Sequence, residues 1–302
     1  MKNETFYTKL ENITLILHAG KKIKDIIKTL EELGILKPPR IDINFLAEEI
    51  RRISYYSPQI GFFLSQLYTA QKVMFTFFKK KLTKDLLLSV PAILEPTFLS
   101  GCIATIVKEK KTTLIINGTK LVPYLPLATS ILAIGRRTRK TYALLLIQKN
   151  LVKIIKHMID LPHLSTKLIP VAFRNFSIDS KSELVCYITH RELLEIFDWM
   201  MKMLNANIEG IRHWLIDEIN TINRNTTLSN NALDINKNKL AHTPTIGQMA
   251  NEIALTIESF GIYSLNPSSL VHLYLGSLIE SSALVASLNK NLYINGKHTS
   301  TA

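Results

Sequence analysis

Residues 112–120, TTLIINGTK, decide the fold class, because they give a strand signal in a chain that otherwise has helical patterns. The β-branched and aliphatic residues from Thr112 to Ile116 favour a strand. Asn117-Gly118 supplies residue types that adopt the positive φ angles of a tight turn. The stretch therefore predicts a β-hairpin that turns at Asn117-Gly118 and belongs to a β region in the middle of the chain.

Strand-like segments continue after this stretch, and helical patterns lie on both sides of them. The further strand segments are residues 121–134, 142–147 and 168–178. Apolar residues recur at helical spacing in residues 21–33, 43–53, 58–77 and 193–222. The predicted fold class is mainly α with an inserted β domain. Residues 1–90 would form an N-terminal helical domain, 91–182 a central β domain and 183–302 a C-terminal helical domain.

Composition indicates a folded chain with a substantial core. Of its 302 residues, 47% are hydrophobic and 20% are charged, which excludes general disorder. Cys102 and Cys186 lie in apolar stretches without metal or redox spacing, which is typical of buried thiols in a reducing compartment. The apolar window 60–78 contains polar residues and falls short of the roughly 20 apolar residues of a membrane span. We expect a cytoplasmic location, no membrane span, no disulfide and no metal site.

The charge balance favours anionic partners. Lys and Arg number 37 against 24 Asp and Glu, a net charge of +13. Nucleic acid, an acidic membrane and a phosphorylated ligand are all compatible with this excess. The basic residues are scattered, however, and no helix carries a basic stripe interleaved with aromatic residues. A solvated lysine-rich surface is thus the competing interpretation, and we expect no specific nucleic-acid partner.

One compact basic cluster interrupts the β region. It consists of Arg136, Arg137, Arg139 and Lys140, between two strand-like segments. The cluster predicts a hairpin tip or loop, which is most often simply solvated. It is also the best local candidate for contact with a phosphate or with an acidic partner subunit.

Six segments in order along the chain resemble motifs of the acyl-CoA dehydrogenase family. They are residues 30–36, 46–65, 94–96, 116–120, 250–263 and 273–274. The resemblance extends over about residues 21–293. It implies the family's layout, with a helical N-domain, a central β-barrel-like domain and a helical-bundle C-domain. It also implies a flavoprotein oxidoreductase with FAD as cofactor, an acyl-CoA or other CoA thioester as substrate, and a homo- or hetero-oligomeric assembly.

The resemblance places the flavin contacts at Leu94, Thr97, Ser100, Val122 and Tyr124. Leu94 stands where the family has threonine, and Ser100 alone keeps the family's residue in its segment. Val122 and Tyr124 fall in the stretch where the family has its flavin-facing tryptophan and threonine. We expect these five residues to line the cofactor site with fewer side-chain donors than the family provides.

The family's catalytic glutamate, which abstracts the α-proton of the thioester, maps to Leu284 or, with a gap, to Leu275. Glu280 lies between them and is the candidate base. A helix-surface glutamate is the competing interpretation, because glutamate is seldom buried. Alternatives on an earlier helix are Glu209, Asp217 and Glu218.

Two other hypotheses stand beside an active dehydrogenase. The first is a non-catalytic pseudoenzyme or scaffold subunit that keeps the fold and associates with an active homologue. Its basis is the combined replacement of the catalytic glutamate and of the flavin-facing donors. The second is a helical nucleic-acid-binding protein, which rests on net charge alone.

Overall fold

The computed structural model describes residues 6, 8–10, 12–13, 23–79, 88–92, 105–155, 159–161 and 166–225. For residues 159–161 and 214–225 it describes the backbone alone. Within these ranges, helices precede and follow a single mixed sheet. The predicted order of helices, β region and helix is therefore confirmed.

Three described α-helices precede the sheet. They are α1 Ile27–Glu32, α2 Ile43–Tyr56 and α3 Pro58–Phe77. The carboxylate of Asp42 caps α2 by accepting hydrogen bonds from the backbone N–H groups of Asn44 and Phe45, both at 3.0 Å. Proline at the first position of α3 has no N–H to leave unpaired, which suits the start of a helix. The helix predicted over residues 58–77 is confirmed.

Helix α3 is buried on nearly all sides, as expected for a helix that is apolar around most of its circumference. Two of its buried polar side chains donate to distant backbone carbonyls. The Tyr68 hydroxyl donates to the carbonyl of Ile35 at 2.5 Å, and the Gln71 amide donates to that of Leu36 at 2.8 Å. Burial, with a smaller contribution from Glu49, raises the pKa of the Tyr68 phenol. Tyr68 and Gln71 thus hold the segment after α1 against α3.

Nine described strands form one sheet. They are β1 Ser89–Ala92, β2 Ile106–Lys110, β3 Thr113–Pro123, β4 Ser130–Arg136, β5 Thr141–Gln148, β6 Lys153–Ile154, β7 Ile159–Leu161, β8 Thr166–Asp179 and β9 Val185–Thr189. The spatial order is β6-β8-β3-β2-β4-β5-β9, with β1 paired to β4 and β7 paired to β8. Strand β1 runs parallel to β4, whereas β3 and β8 pair antiparallel along most of their lengths. The predicted strands at 142–147 and 168–178 are confirmed.

The predicted turn at Asn117-Gly118 is wrong. Strand β3 runs straight through this dipeptide, and the chain turns instead at Lys111, which has a φ of +56°. At Gly118 the pairing with β8 shifts by one residue, which is a β-bulge. A side chain at Gly118 would place its Cβ 2.7 Å from the Cα of Thr105. The glycine therefore serves a close backbone approach within the sheet.

The segment predicted as one strand over residues 121–134 is also divided. It contains the end of β3, a turn after Tyr124 and the beginning of β4. Strand β4 then pairs antiparallel with β5, from Ser130 opposite Gln148 to Arg136 opposite Tyr142. The basic cluster forms the tip between these two strands, so the prediction of a basic hairpin tip is confirmed.

Helix α4, His190–Asn225, follows the sheet and packs against α2 and α3. The Asn207 amide donates to Ser54 Oγ at 2.8 Å and to the carbonyl of Pro58 at 3.2 Å. Two glycines permit this contact. A Cβ at Gly61 would lie 2.7 Å from Asn207 Nδ2, and one at Gly210 would lie 2.6 Å from Ser54 Cβ. The predicted helix at 193–222 is confirmed, whereas the remainder of the C-terminal bundle lies outside the described residues.

Candidate functional site

Two of the predicted cofactor residues, Val122 and Tyr124, lie where β3 ends. Val122 is the penultimate residue of the strand, and Tyr124 follows Pro123 with a φ of +54°. Such a left-handed conformation is rare for a bulky residue. The exposed fractions of Val122 and Tyr124 are 0% and 2%, and both belong to the hydrophobic core. We refer to Val122, Pro123 and Tyr124 as the β3 end.

The Tyr124 ring packs against α3. Its centroid lies 5.0 Å from that of Phe63, in an edge-to-face arrangement, and 5.9 Å from that of Phe62. The backbone N–H of Tyr124 donates to Thr166 Oγ1 at 3.0 Å, and its carbonyl accepts from Leu127 N at 2.9 Å. Left-handed backbone costs a non-glycine residue about 1–3 kcal/mol and persists where its surroundings impose it. Here the contacts with α3 and β8 hold Tyr124 in the left-handed conformation.

These contacts decide how well the β3 end fits a flavin. An isoalloxazine ring is held through hydrogen-bond donors at its edge. Val122 has no polar side-chain atom, Tyr124 is enclosed by aromatic rings, and the Tyr124 N–H is already donated to Thr166. The β3 end thus presents no exposed side-chain donor to a flavin.

The best-preserved part of the motif is enclosed in the sheet. Lys120 lies opposite Val171 of β8 and has an exposed fraction of 0%, which is unusual for lysine. Gly118, two residues earlier, is in close contact with Thr105. Both residues therefore support the architecture of the sheet.

Among the remaining predicted site residues, the structure describes the side chain of Glu209. Leu94, Thr97, Ser100, Leu275, Glu280 and Leu284 lie outside the described residues, so their roles stay predictions. Of the alternative bases, Glu209 lies on α4 with 45% of its side chain exposed and 3.8 Å from the guanidinium of Arg51. That is the position of a solvated helix-face carboxylate. The side chains of Asp217 and Glu218 also lie outside the described part.

A second group of polar and charged side chains gathers at the basic hairpin tip, where they line a surface pocket that we call the basic pocket. Pairing of β5 with β9 places Thr141 opposite Thr189, and it brings Arg139 and Lys140 next to the start of α4. His190 and Arg191, the first residues of that helix, line the same pocket. Sequence reasoning found the tip but missed His190 and Arg191, because only the β5–β9 pairing brings them together.

Two further properties limit the types of site in the described part of the chain. Over the described ranges, His, Cys, Asp and Glu side chains do not gather into a group that could hold a metal ion. Nor does any helix there combine the length and apolar character needed to cross a membrane.

Sequence comparisons identify no relative. No protein-family model matches the chain, and no curated protein matches it by sequence.

Comparison of folds gives clear matches at low identity. Butyryl-CoA dehydrogenase from Megasphaera elsdenii is 11% identical, with a TM-score of 0.63 over 97% of this chain and 89% of that chain. The 3-HSA hydroxylase from Rhodococcus sp. RHA1 is 10% identical, with a TM-score of 0.60 over 99% and 86%. The nitrososynthase from Micromonospora carbonacea var. africana is 11% identical, with a TM-score of 0.58 over 94% and 82%.

These three proteins are named for different reactions, so the shared architecture does not by itself specify one. It does identify the arrangement of helices and sheet described above. The chain has the fold of the acyl-CoA dehydrogenases and related flavin-dependent dehydrogenases, as a divergent example of it.

Proposed function

We propose that the chain is an acyl-CoA dehydrogenase-like flavoprotein, which binds FAD and oxidises an acyl-CoA or other CoA thioester or keeps a divergent remnant of that activity. The observation that carries the proposal is the likeness to butyryl-CoA dehydrogenase over 97% of the chain. The net charge of +13 suits two phosphate-rich ligands. A homo- or hetero-oligomer is part of the same proposal.

The proposal places a requirement on the cofactor site. Because the β3 end offers no exposed side-chain donor, other groups must hold the isoalloxazine. Leu94, Thr97 and Ser100 remain the proposed contributors, and Glu280 remains the proposed base. Of the two positions described, Val122 and Tyr124 can contribute only apolar packing.

A second candidate is a non-catalytic scaffold subunit of the same fold. The observation in its favour is that Tyr124, where the resemblance implies a flavin contact, packs against the rings of Phe62 and Phe63. Such a subunit would associate with an active homologue and bind no flavin of its own.

The visible absorption spectrum of the purified full chain separates the two candidates. The flavoprotein proposal predicts flavin bands in near-stoichiometric amount, either as purified or after addition of FAD and removal of the excess. Flavin released by heat and identified as FAD provides the control. A colourless protein that takes up no FAD would contradict the flavoprotein and support the scaffold.

Turnover is tested on the flavin-loaded protein. Anaerobic addition of acyl-CoA thioesters of increasing chain length should bleach the flavin if dehydrogenation is retained. No bleaching with any thioester would reject dehydrogenation while leaving FAD binding intact. Glu280→Gln should abolish bleaching, and unchanged bleaching in this variant would eliminate Glu280 as the base.

A further inference from the structure

The segment that follows β5 exposes apolar side chains at the edge of the sheet. It consists of one 3₁₀ turn, Lys149–Leu151, and the two-residue strand β6, which among the described strands pairs with β8 only. The exposed fractions of Leu151 and Ile154 are 56% and 49%. We call residues 149–154 the β6 edge.

This exposure differs from that of other apolar residues in the described part of the chain. Five large hydrophobic residues are exposed there, and Leu151 is the most exposed of them. Only Leu151 and Ile154 are close in sequence. Single exposed apolar residues are normal on a protein surface, whereas neighbouring ones indicate an interaction site.

The β6 edge is also positively charged. Lys149 and Lys153 alternate with the exposed aliphatic residues, and residues 110–159 contain ten Lys or Arg residues and not one Asp or Glu. The Lys149 ammonium donates to the carbonyl of Pro126 at 2.7 Å, which leaves two of its three N–H groups for an anion. Neither lysine pairs with a carboxylate in the described ranges. The surface therefore combines aliphatic side chains with cations that are not neutralised.

A groove of about 660 Å³ adjoins these residues. Its apolar part is formed by Leu146, Val152, Ile154 and Leu184, and amide side chains line it at Gln148 and Asn150. No acidic residue lines the groove. Aliphatic atoms beside neutral amide donors match the region of a lipid where the acyl chains meet the ester carbonyls.

Hydrogen bonds hold the β6 edge in place. The N–H of Lys149 donates to the carbonyl of Thr129 at 3.2 Å, and that of Val152 donates to the carbonyl of Lys149 at 3.3 Å. The N–H of Ile155 donates to the carbonyl of Pro170 at 2.8 Å. A surface fixed in this way loses little conformational entropy when it binds.

We propose that the β6 edge is a peripheral binding surface for membranes that contain anionic lipid. Leu151 and Ile154 would enter the boundary between headgroups and acyl chains, while Lys149 and Lys153 contact lipid phosphates. A lipid surface is favoured over an added strand of a partner protein, because a two-residue edge strand that carries a lysine is a poor template for strand pairing. The proposal requires neither a flavin nor a thioester.

The test is flotation of the full chain with extruded vesicles, without added FAD or CoA compounds. One set contains equal amounts of phosphatidylglycerol and phosphatidylcholine, and the other contains phosphatidylcholine alone. The chain should bind the anionic vesicles at least about tenfold more tightly. Raised salt should weaken this binding without abolishing it, because salt screens the charges but not the apolar contact. Absence of binding to anionic vesicles, or equal binding to both sets, would overturn the proposal.

Matched variants locate the apolar contact. Leu151→Ser/Ile154→Ser should weaken binding to anionic vesicles by about tenfold, because it removes the side chains that enter the lipid. Phe75→Ser/Ile106→Ser removes two exposed apolar side chains elsewhere and should change binding by less than about twofold. Equal effects in the two variants would reject the β6 edge as the contact. Circular dichroism confirms that both variants are folded.

A second pair of variants locates the charge contact. Lys149→Gln/Lys153→Gln should weaken binding to anionic vesicles by about tenfold, because both cations lie beside the inserted residues. Lys108→Gln/Lys110→Gln removes the same charge from exposed positions on β2 and should have an effect of less than about twofold. Equal losses would mean diffuse attraction by the whole basic surface and would reject a localised site.

Tryptophan fluorescence reports insertion directly. Leu151→Trp should shift its emission to shorter wavelength when anionic vesicles are added, whereas Ile106→Trp should not. Both variants keep the native Trp199 and Trp214, so the difference between them belongs to the new residue. No difference would overturn insertion at Leu151. A colourless protein that binds vesicles would refute only the proposed function, and a flavin-loaded protein that ignores them would refute only the membrane surface.

Discussion

The β3 end and the basic pocket belong to the same sheet but differ in their exposure to solvent. The β3 end follows directly after the motif of residues 116–120, and its Val122 and Tyr124 are buried in an apolar core. The basic pocket carries no family motif, yet it holds exposed cations on a hydrogen-bonded turn. The comparison teaches that the motif in this chain supports the fold, whereas exposed positive charge is found at the opposite end of the β4–β5 hairpin.

The largest expected effect comes from truncating the aromatic residue at the β3 end. Tyr124→Ala removes a buried ring from contact with Phe62 and Phe63 and should lower the free energy of unfolding by about 3–5 kcal/mol. The control is Tyr187→Ala, near the basic pocket. Tyr187 is 41% exposed and stacks 4.8 Å from the Arg137 guanidinium, so its loss should cost about 1 kcal/mol. Similar shifts of the urea midpoint in the two variants would contradict the predicted difference between the buried β3 end and the exposed pocket.

An intermediate effect is expected at Gly118, where the pairing of β3 with β8 is bulged. Gly118→Ala should destabilise the chain by about 3 kcal/mol, because its Cβ would meet Thr105 and its φ of +155° disfavours side chains. Gly34→Ala separates the two causes. Gly34 also has a positive φ, +71°, but no heavy atom lies within 4 Å of the added Cβ, so about 1 kcal/mol is expected. Thermal unfolding of both variants measures the difference, and equal losses would remove the steric explanation.

The smallest expected effect is at the edge of the basic pocket. Glu192→Ala removes the capping box of α4 and should cost about 1 kcal/mol in thermal unfolding. Glu195→Ala removes only an exposed pair with Arg191 and should cost about 0.3 kcal/mol. Equal losses of stability in Glu192→Ala and Glu195→Ala would contradict a stabilising role of the capping box.

The sequence predicted the elements with strong local signals. Helix α3 could be predicted from Pro58 and from the apolar run that follows it. Strand β8 could be predicted from its β-branched and aromatic residues. The basic tip could be predicted because four cationic residues occupy five consecutive positions between two strand-like segments. Each of these features depends on neighbours within a few residues.

Features that depend on distant partners were missed. Asn117-Gly118 fits a tight turn and a bulge equally well, and contact with Thr105 and pairing with β8 decide between them. The basic pocket combines Arg139 and Lys140 with His190 and Arg191, which lie about fifty residues later, through β5–β9 pairing. The burial of Tyr124 likewise depends on α3, and no local sequence pattern predicts that α3 packs against the end of β3.

The hydrogen bond between Ser54 and Asn207 has a consequence for synthesis of the chain. These residues are 153 positions apart and join α2 to α4 across the whole length of the sheet region. At typical translation rates, about 150 residues take roughly ten to thirty seconds to add. During that interval the face of α2 and α3 around Ser54 and Gly61 lacks its α4 partner. Helices α2 and α3 therefore wait for a helix that is made about 150 residues later before this face is covered.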